Sequence, residues 1–67
     1  MDIELKDDTL FTPTQLAEYL TLKLKTLEKM RRTGEGPRFI KVGRSVRYRG
    51  IDITDYLDEQ TRESTTE

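Results

Sequence analysis

Residues 23–49 read KLKTLEKMRRTGEGPRFIKVGRSVRYR, and most of the fold follows from this stretch. In its first part, Leu24, Leu27 and Met30 lie three residues apart, a spacing that places side chains on one face of a helix. Gly34 follows, and glycine commonly ends a helix just past its last turn. The pattern predicts a helix that begins near Leu24 and ends before Gly34, with Leu27 and Met30 in the core.

The second part of this stretch predicts a hairpin. Apolar and basic residues alternate over residues 39–42 and again over residues 46–49, which is typical of two short strands. Gly43-Arg44-Ser45 connects them, and Gly43 supplies the positive φ that a tight turn needs. We name residues 39–49 the wing hairpin.

A further helix is predicted upstream. Thr12 is suited to the N-cap and Pro13 to the first helical position, and Gln15 completes a Thr-x-x-Gln capping box. This helix is expected to end near Leu20. Its apolar residues at helical spacing are Leu16, Ala17, Tyr19 and Leu20, and the spacing of Tyr19, like that of Tyr48 and Tyr56, is that of a core residue. Residues 21–23 leave room only for a turn, so the two successive helices form a helix-turn-helix.

The remaining segments complete a small α+β domain. A last helix is predicted from Ile51 to Glu59, with acids in its first turns, where they suit the helix dipole. Residues 1–9 are expected to form a flexible arm and residues 60–67 a flexible tail, which leaves residues 10–59 as the domain. The predicted fold class is a small winged helix-turn-helix, with two helices, a two-stranded wing hairpin and a C-terminal helix.

Composition narrows the possible functions. The chain has 67 residues and contains neither cysteine nor histidine. It therefore lacks thiolates, the commonest zinc ligand and the commonest general base. Because so small a domain has little room for a closed catalytic cavity, we expect no enzymatic activity, no metal and no cofactor. No apolar run approaches the length of about 20 residues that spans a bilayer, and a cytoplasmic location is expected.

Charge is distributed unevenly along the chain. Residues 23–49 contain ten of the twelve basic residues and only two acids, whereas the net charge of the whole chain is −1. The remaining acids lie in residues 1–22 and 50–67. A polyanion would meet a positive middle and be repelled by the two ends, so this distribution favours a DNA-binding function.

Position in the helix-turn-helix selects candidate contacts on the second helix, because that helix enters the major groove in proteins of this architecture. Lys25 and Thr26, near its N-terminus, are best placed for base edges. Lys29 and Arg32, further along, can reach bases or phosphates. A charged helix face can also be merely solvated. Leu24 could contact a thymine methyl or pack inward, and inward packing is favoured.

The wing hairpin supplies further candidates. Arg44 lies at its tip, where a slim hairpin can enter a narrow minor groove, and Arg47 is suited to a phosphate. Basic residues on an edge hairpin can alternatively serve to discourage strand pairing, which is a competing explanation for Lys41 and Arg49. The predicted DNA-binding residues are Lys23, Lys25, Thr26, Lys29, Arg32, Lys41, Arg44 and Arg47.

Four segments of the chain resemble a known family. Residues 10–20 (LFTPTQLAEYL), 26–34 (TLEKMRRTG), 36–49 (GPRFIKVGRSVRYR) and 51–57 (IDITDYL) are similar, in this order, to motifs of the excisionase and AlpA-like small DNA-binding proteins. Those proteins are winged helix-turn-helix domains related to the DNA-binding part of MerR regulators. The resemblance covers about residues 10–57.

This resemblance implies a protein that binds double-stranded DNA, often as several copies side by side, and bends it. Many such proteins direct a phage or mobile-element integrase towards excision. The resemblance therefore implies an excisionase in the cytoplasm of a bacterium, with double-stranded DNA, an integrase and further copies of itself as partners. A transcriptional regulator of the AlpA or MerR-like type is the alternative. A module whose basic face binds an acidic protein is a third possibility.

The chain departs from the family pattern in three places. Thr21 and Lys23 stand where the family commonly has glycine and serine, so Thr21 is expected to serve as a substitute cap. Met30 replaces the usual tryptophan, and Glu28 replaces an aromatic residue. Glu28 is not among the predicted contacts.

Overall fold

The computed structural model describes residues 9–61. The predicted arm and tail fall largely on residues 1–8 and 62–67, outside the described residues. In chain order, the elements are β1 (Leu10–Phe11), α1 (Pro13–Leu20), α2 (Leu24–Thr33), β2 (Ile40–Val42), β3 (Ser45–Arg49) and α3 (Gly50–Gln60). Three helices and an antiparallel sheet in this order confirm the predicted α+β winged helix-turn-helix.

The capping box predicted for α1 is present. The Gln15 backbone N–H donates to Thr12 Oγ1 at 3.0 Å, and the Thr12 N–H donates to Gln15 Oε1 at 2.9 Å. Pro13 occupies the start of the helix, where its missing N–H costs no hydrogen bond. Hydrogen bonds within four successive residues, Thr12 to Gln15, therefore determine where α1 begins.

The turn between α1 and α2 closes on Thr21, which adopts the left-handed conformation with φ 59° and ψ 43°. The Thr21 N–H donates to the Glu18 carbonyl at 3.2 Å, and the Leu22 N–H donates to the Ala17 carbonyl at 2.8 Å. This pair of bonds is a Schellman motif, which commonly has glycine at the left-handed position. Thr21 therefore serves as the expected substitute cap, at the conformational cost of a β-branched side chain at positive φ.

The limits predicted for α2 are confirmed. Gly34 ends the helix with φ 79°, and the Glu35 N–H donates to the Met30 carbonyl at 3.0 Å. Lys23 occupies the N-cap position and makes no side-chain capping bond. The two ends of α2 are thus unequal, since one is closed by a glycine motif and the other is uncapped.

The sheet contains one strand more than predicted, in the order β1-β3-β2. β1 pairs antiparallel with β3, Leu10 opposite Arg49 and Phe11 opposite Tyr48. With only two residues, β1 is too short to show the alternation by which strands are recognised in a sequence. Its pairing ties the chain before α1 to the base of the wing hairpin.

The turn of the wing hairpin is also shorter than predicted. β3 begins at Ser45, so Gly43 and Arg44 alone form the turn, with Gly43 at φ 64°. The resulting register places Lys41 opposite Val46 and Ile40 opposite Arg47. Because directly opposed residues share a face of the sheet, Lys41 lies on the face of Val46, while Ile40 lies with Arg47 on the other face.

The core lies where α1, α2 and α3 meet β3. Its buried residues are Phe11, Leu16, Ala17, Leu27, Tyr48 and Ile53, and Leu20, Val46 and Leu57 pack against them. Ile53 anchors α3, whose first N–H, that of Gly50, donates to the Thr9 carbonyl at 2.9 Å. α3 extends one residue beyond the predicted helix at each end.

Three expectations about core residues were wrong. Leu24 is 39% exposed instead of buried, because residues 21–26 are all exposed and the N-terminal end of α2 projects from the core. Tyr19 is 41% exposed, since Leu16, Ala17 and Leu20 define the inner face of α1 and Tyr19 lies beside it. Met30 is only half-buried and packs against Gly36 outside the central cluster.

Candidate nucleic-acid interface

Three of the four basic residues of the second helix lie on a single face. Leu27 is 1% exposed and fixes the inner side of α2. At about 100° per residue, Lys25, Lys29 and Arg32 project from the opposite side of the helix. All three are exposed, and we name them the basic face of α2. Because Leu27 packs in the core, the basic face on the opposite side of α2 points towards solvent.

The N-terminus of α2 adds to this positive surface. Lys23 at the N-cap and Thr26 in the first turn are both exposed, and the first turn contains no acid. Two lysines, Lys23 and Lys25, therefore lie near the positive end of the helix dipole, where cations are destabilising. An anion bound at this end would offset that cost and accept hydrogen bonds from the uncapped backbone N–H groups.

A groove connects α2 with the wing hairpin. It is lined by Glu28, Arg31, Arg32, Phe39, Lys41 and Val46, and we name it the helix–hairpin groove. Arg32 comes from the basic face of α2, and Lys41 comes from β2. The groove therefore makes these two cations part of one surface, although they lie nine positions apart in the sequence. Glu28 is the acid among the lining residues.

The two arginines predicted on the hairpin occupy different places. Arg44 is exposed in the two-residue turn at the hairpin tip. Arg47 is half-buried on the face of the sheet that bears Ile40, and its Nη1 donates to the Val46 carbonyl at 2.7 Å. Lys41 therefore lies on the face of the sheet that is turned towards α2, and Arg47 lies on the opposite face.

The acids of α3 face a different groove. Asp52, Asp55 and Glu59 line it together with Arg38 from the loop before β2. Asp52 also lies in the first turn of α3, where negative charge suits the helix dipole. The basic face of α2 and these acids of α3 are thus carried by different elements and line different grooves.

Arg31, Phe39 and Tyr48 were missed as functional candidates. Arg31 lies in the helix–hairpin groove and contacts both aromatic residues across it. One signal was available, because Arg31 follows Leu27 by four residues and therefore lies near the inner side of α2, away from the basic face.

Within residues 9–61, no group of three or more acids is placed to hold a metal ion. No helix in that range is long and apolar enough to cross a membrane.

The fold defines a helix-turn-helix protein. Residues 10–61 match the family described as the helix-turn-helix domain, and the chain belongs to this family. Membership supports double-stranded DNA as a partner, and the family is a DNA-binding one, not typically enzymatic. No curated protein compared with the chain matches it.

Proposed function

We propose that this chain binds double-stranded DNA sequence-specifically, with α2 in the major groove. The observation that carries the proposal is the basic face of α2 and its continuation across the helix–hairpin groove to Lys41. The major groove, about 12 Å wide, admits an α-helix, and the second helix of a helix-turn-helix is the one that enters it.

Each part of α2 has a distinct role in this proposal. Lys25 and Thr26 read base edges, because the first turn of the recognition helix reaches deepest into the groove. Lys29 and Arg32 contact bases or the flanking phosphates. Lys23 holds a phosphate at the N-terminus of the helix, where the helix dipole also favours negative charge.

The wing hairpin grips the DNA beside this site. Arg44, exposed at the tip, enters the adjacent minor groove, and Lys41 neutralises a phosphate from the side of α2. Arg47 lies on the other face of the sheet, so its proposed phosphate contact requires the backbone to pass the outer side of the hairpin. We therefore expect Arg47 to contribute less than Arg44.

The direct experiment is selection of a preferred site from a pool of random-sequence duplexes, followed by titration of that duplex at rising salt. If six phosphates are neutralised, a plot of the logarithm of the association constant against the logarithm of the salt concentration should have a slope of about −5. Charge reversal at Lys25 or Arg44 should abolish specific binding, whereas Arg38→Glu, in the groove of the α3 acids, should not. Salt-independent affinity, or no duplex binding at low salt, would contradict the proposal.

The biological role that we propose is that of an excisionase. It would bind attachment-site DNA as several cooperative copies, bend it and direct a cognate integrase towards excision. Support comes from the four sequence segments similar to excisionase and AlpA-like motifs. One copy presents a small interface, so side-by-side copies would supply the specificity that a single module lacks.

A regulator of transcription would use the same DNA contacts. An excision assay with a candidate integrase distinguishes the two roles. Recombination that requires the protein, at paired sites flanking the recombination core, supports excision. Repression or activation of a promoter without any effect on recombination supports the regulator.

A further inference from the structure

We propose that Arg31 is a positioning residue that fixes the orientation of α2 relative to the wing hairpin without contacting DNA itself. This inference rests on the proposed function, because the orientation matters when both elements dock on one duplex. Arg31 directly precedes Arg32 in the sequence, but Arg32 is proposed to contact DNA, whereas Arg31 is proposed to hold α2 in place.

Three contacts carry the proposal. The Arg31 Nη1 donates to Tyr48 Oη at 3.1 Å, and its guanidinium carbon lies 5.8 Å from the centre of the Phe39 ring. Phe39 and Tyr48 meet edge to face, with ring centres 6.4 Å apart and planes at 61°. One side chain of α2 is thus joined to β3 and to the residue that precedes β2.

These contacts matter because the backbones of α2 and the hairpin are not closely packed on each other. α2 packs on α1, whereas the sheet packs on α1 and α3 through β3. Side chains connect α2 with β3 instead: Leu27 joins the core cluster that includes Tyr48, and Arg31 makes the contacts above. Leu27 supplies apolar contact without a preferred direction, whereas a guanidinium is planar and its donors are fixed in angle.

The burial of Tyr48 makes the hydrogen bond specific. Tyr48 is 1% exposed, and among the described residues no buried side-chain oxygen or nitrogen lacks a partner. Without Arg31, the phenol must find another partner or move its ring, and either outcome changes how α2 faces the hairpin. Arg31 is half-buried and engaged with both aromatic residues, whereas Arg32 is exposed and directed outward.

The test compares Tyr48→Phe and Arg31→Met with Arg32→Met as the matched control. Each variant is titrated at several salt concentrations against the selected duplex and against a random-sequence duplex of equal length. Tyr48→Phe removes one oxygen and no charge and keeps the ring in the core. It should weaken binding to the selected duplex about two- to tenfold, because DNA binding must then restore the orientation of α2, at a cost limited by the net contribution of the lost hydrogen bond. Binding to the random duplex should change little, because that binding depends on charge.

The slope of the salt dependence of binding distinguishes a residue that positions α2 from one that contacts a phosphate. Arg32→Met should make the slope less steep by about 0.9, the value for one phosphate, whereas Arg31→Met and Tyr48→Phe should leave it unchanged. The double variant Arg31→Met with Tyr48→Phe should bind no more weakly than the weaker single variant, because both remove the same bond. A slope lowered by Arg31→Met as much as by Arg32→Met, or wild-type affinity in Tyr48→Phe, would overturn the proposal.

An independent measurement keeps the inference separate from the proposed function. Residual dipolar couplings of the DNA-free protein report the orientation of α2 relative to β2 and β3. Tyr48→Phe should change that orientation and leave both elements folded. If the wild-type protein bound no duplex, the proposed function would fail, and an unchanged orientation in Tyr48→Phe would separately refute the role of Arg31.

Discussion

Lys41 lies directly opposite Val46 in the antiparallel pairing of β2 with β3. Since opposed residues share a face, this pairing turns Lys41 towards α2 and into the helix–hairpin groove beside Arg32. A register shifted by one residue would place Lys41 on the outer face of the sheet. The pairing of two residues therefore determines whether the positive surface of α2 continues onto the hairpin.

Lys41→Gln should weaken binding to duplex DNA and make the salt slope less steep by about 0.9, because one phosphate contact is lost. The matched control is Arg49→Gln, which removes an exposed cation at the other end of the hairpin, opposite Leu10. Its slope should equal that of the wild-type protein. Fluorescence anisotropy over a range of salt measures both, and equal effects of the two variants would show that Lys41 holds no special position.

The basic face of α2 should act as a set of separable contacts. Lys29→Gln and Arg32→Gln should each make the salt slope less steep by up to about 0.9, whereas Lys25→Gln should weaken binding to the selected duplex more than to a random one. The triple variant should show the sum of these effects. Arg38→Gln, a cation removed from the groove lined by Asp52, Asp55 and Glu59, should leave the slope unchanged. An effect of Arg38→Gln as large as that of the triple variant would mean that net charge, and not this face, governs binding.

Lys23→Ser should stabilise the protein and weaken its DNA binding. Serine at the N-cap can accept a hydrogen bond from the first turn of α2, where Lys23 makes none, and such a cap contributes about 1 kcal/mol. The lost cation removes the phosphate contact that we propose at this end. Lys23→Ala is the control, since it removes the charge without adding a cap. It should reproduce the loss of affinity, and urea denaturation should show no gain in the free energy of unfolding.

Thr21→Gly should raise the free energy of unfolding by about 0.5–1 kcal/mol, because glycine adopts the left-handed conformation without the clash of a β-carbon. Thr21 holds φ 59° while its N–H and that of Leu22 close the end of α1. Thr26→Gly, at an exposed helical position of α2, should lower the free energy of unfolding by about 0.3 kcal/mol, the difference in helix propensity between the two residues. Urea denaturation measures both changes, and destabilisation by Thr21→Gly would show that the threonine side chain supports the turn.

The two leucines at the start of α2 should differ strongly in stability measurements. Leu27→Ala removes a fully buried side chain and should cost about 2–5 kcal/mol, enough to unfold most of so small a domain. Leu24→Ala, at a position 39% exposed, should cost less than about 1 kcal/mol. Thermal denaturation followed by circular dichroism measures both. Equal losses would mean that Leu24 packs inward after all.

The helix boundaries could be predicted because their causes are local. Thr12 and Gln15 are three residues apart, and Gly34 directly follows α2, so the bonds that begin and end these helices form within a few residues of chain. For the same reason, the basic face of α2 could be predicted from the spacing of Lys25, Lys29 and Arg32 alone.

The register of the hairpin could not be predicted in this way. A three-residue connection would pair Val42 with Val46 and place the apolar residues of both strands on one face, as the alternation suggests. The two-residue turn pairs Val42 with Ser45 instead, and Val42 is 53% exposed. A difference of one residue in turn length therefore decides whether Lys41 and Arg47 lie on the same face of the sheet or on opposite faces. No local sequence pattern specifies that turn length.

Contacts between elements distant in the sequence were missed for a related reason. The bond between Arg31 and Tyr48 joins residues 17 positions apart, and it depends on how α2 lies against β3. β1 likewise depends on the pairing of Phe11 with Tyr48, which lies 37 positions further along the chain. Such contacts follow from the packed fold and leave no periodic signal in the sequence.

The most direct test of the proposed docking surface is an amide NMR titration of the protein with its selected duplex. The largest changes in amide chemical shift should fall on Lys23–Arg32 of α2, on Lys41 and on Gly43–Arg44, while the shifts of Asp52–Glu59 of α3 change little. Changes centred on α3, or none on α2 at saturating duplex, would contradict the proposed docking surface.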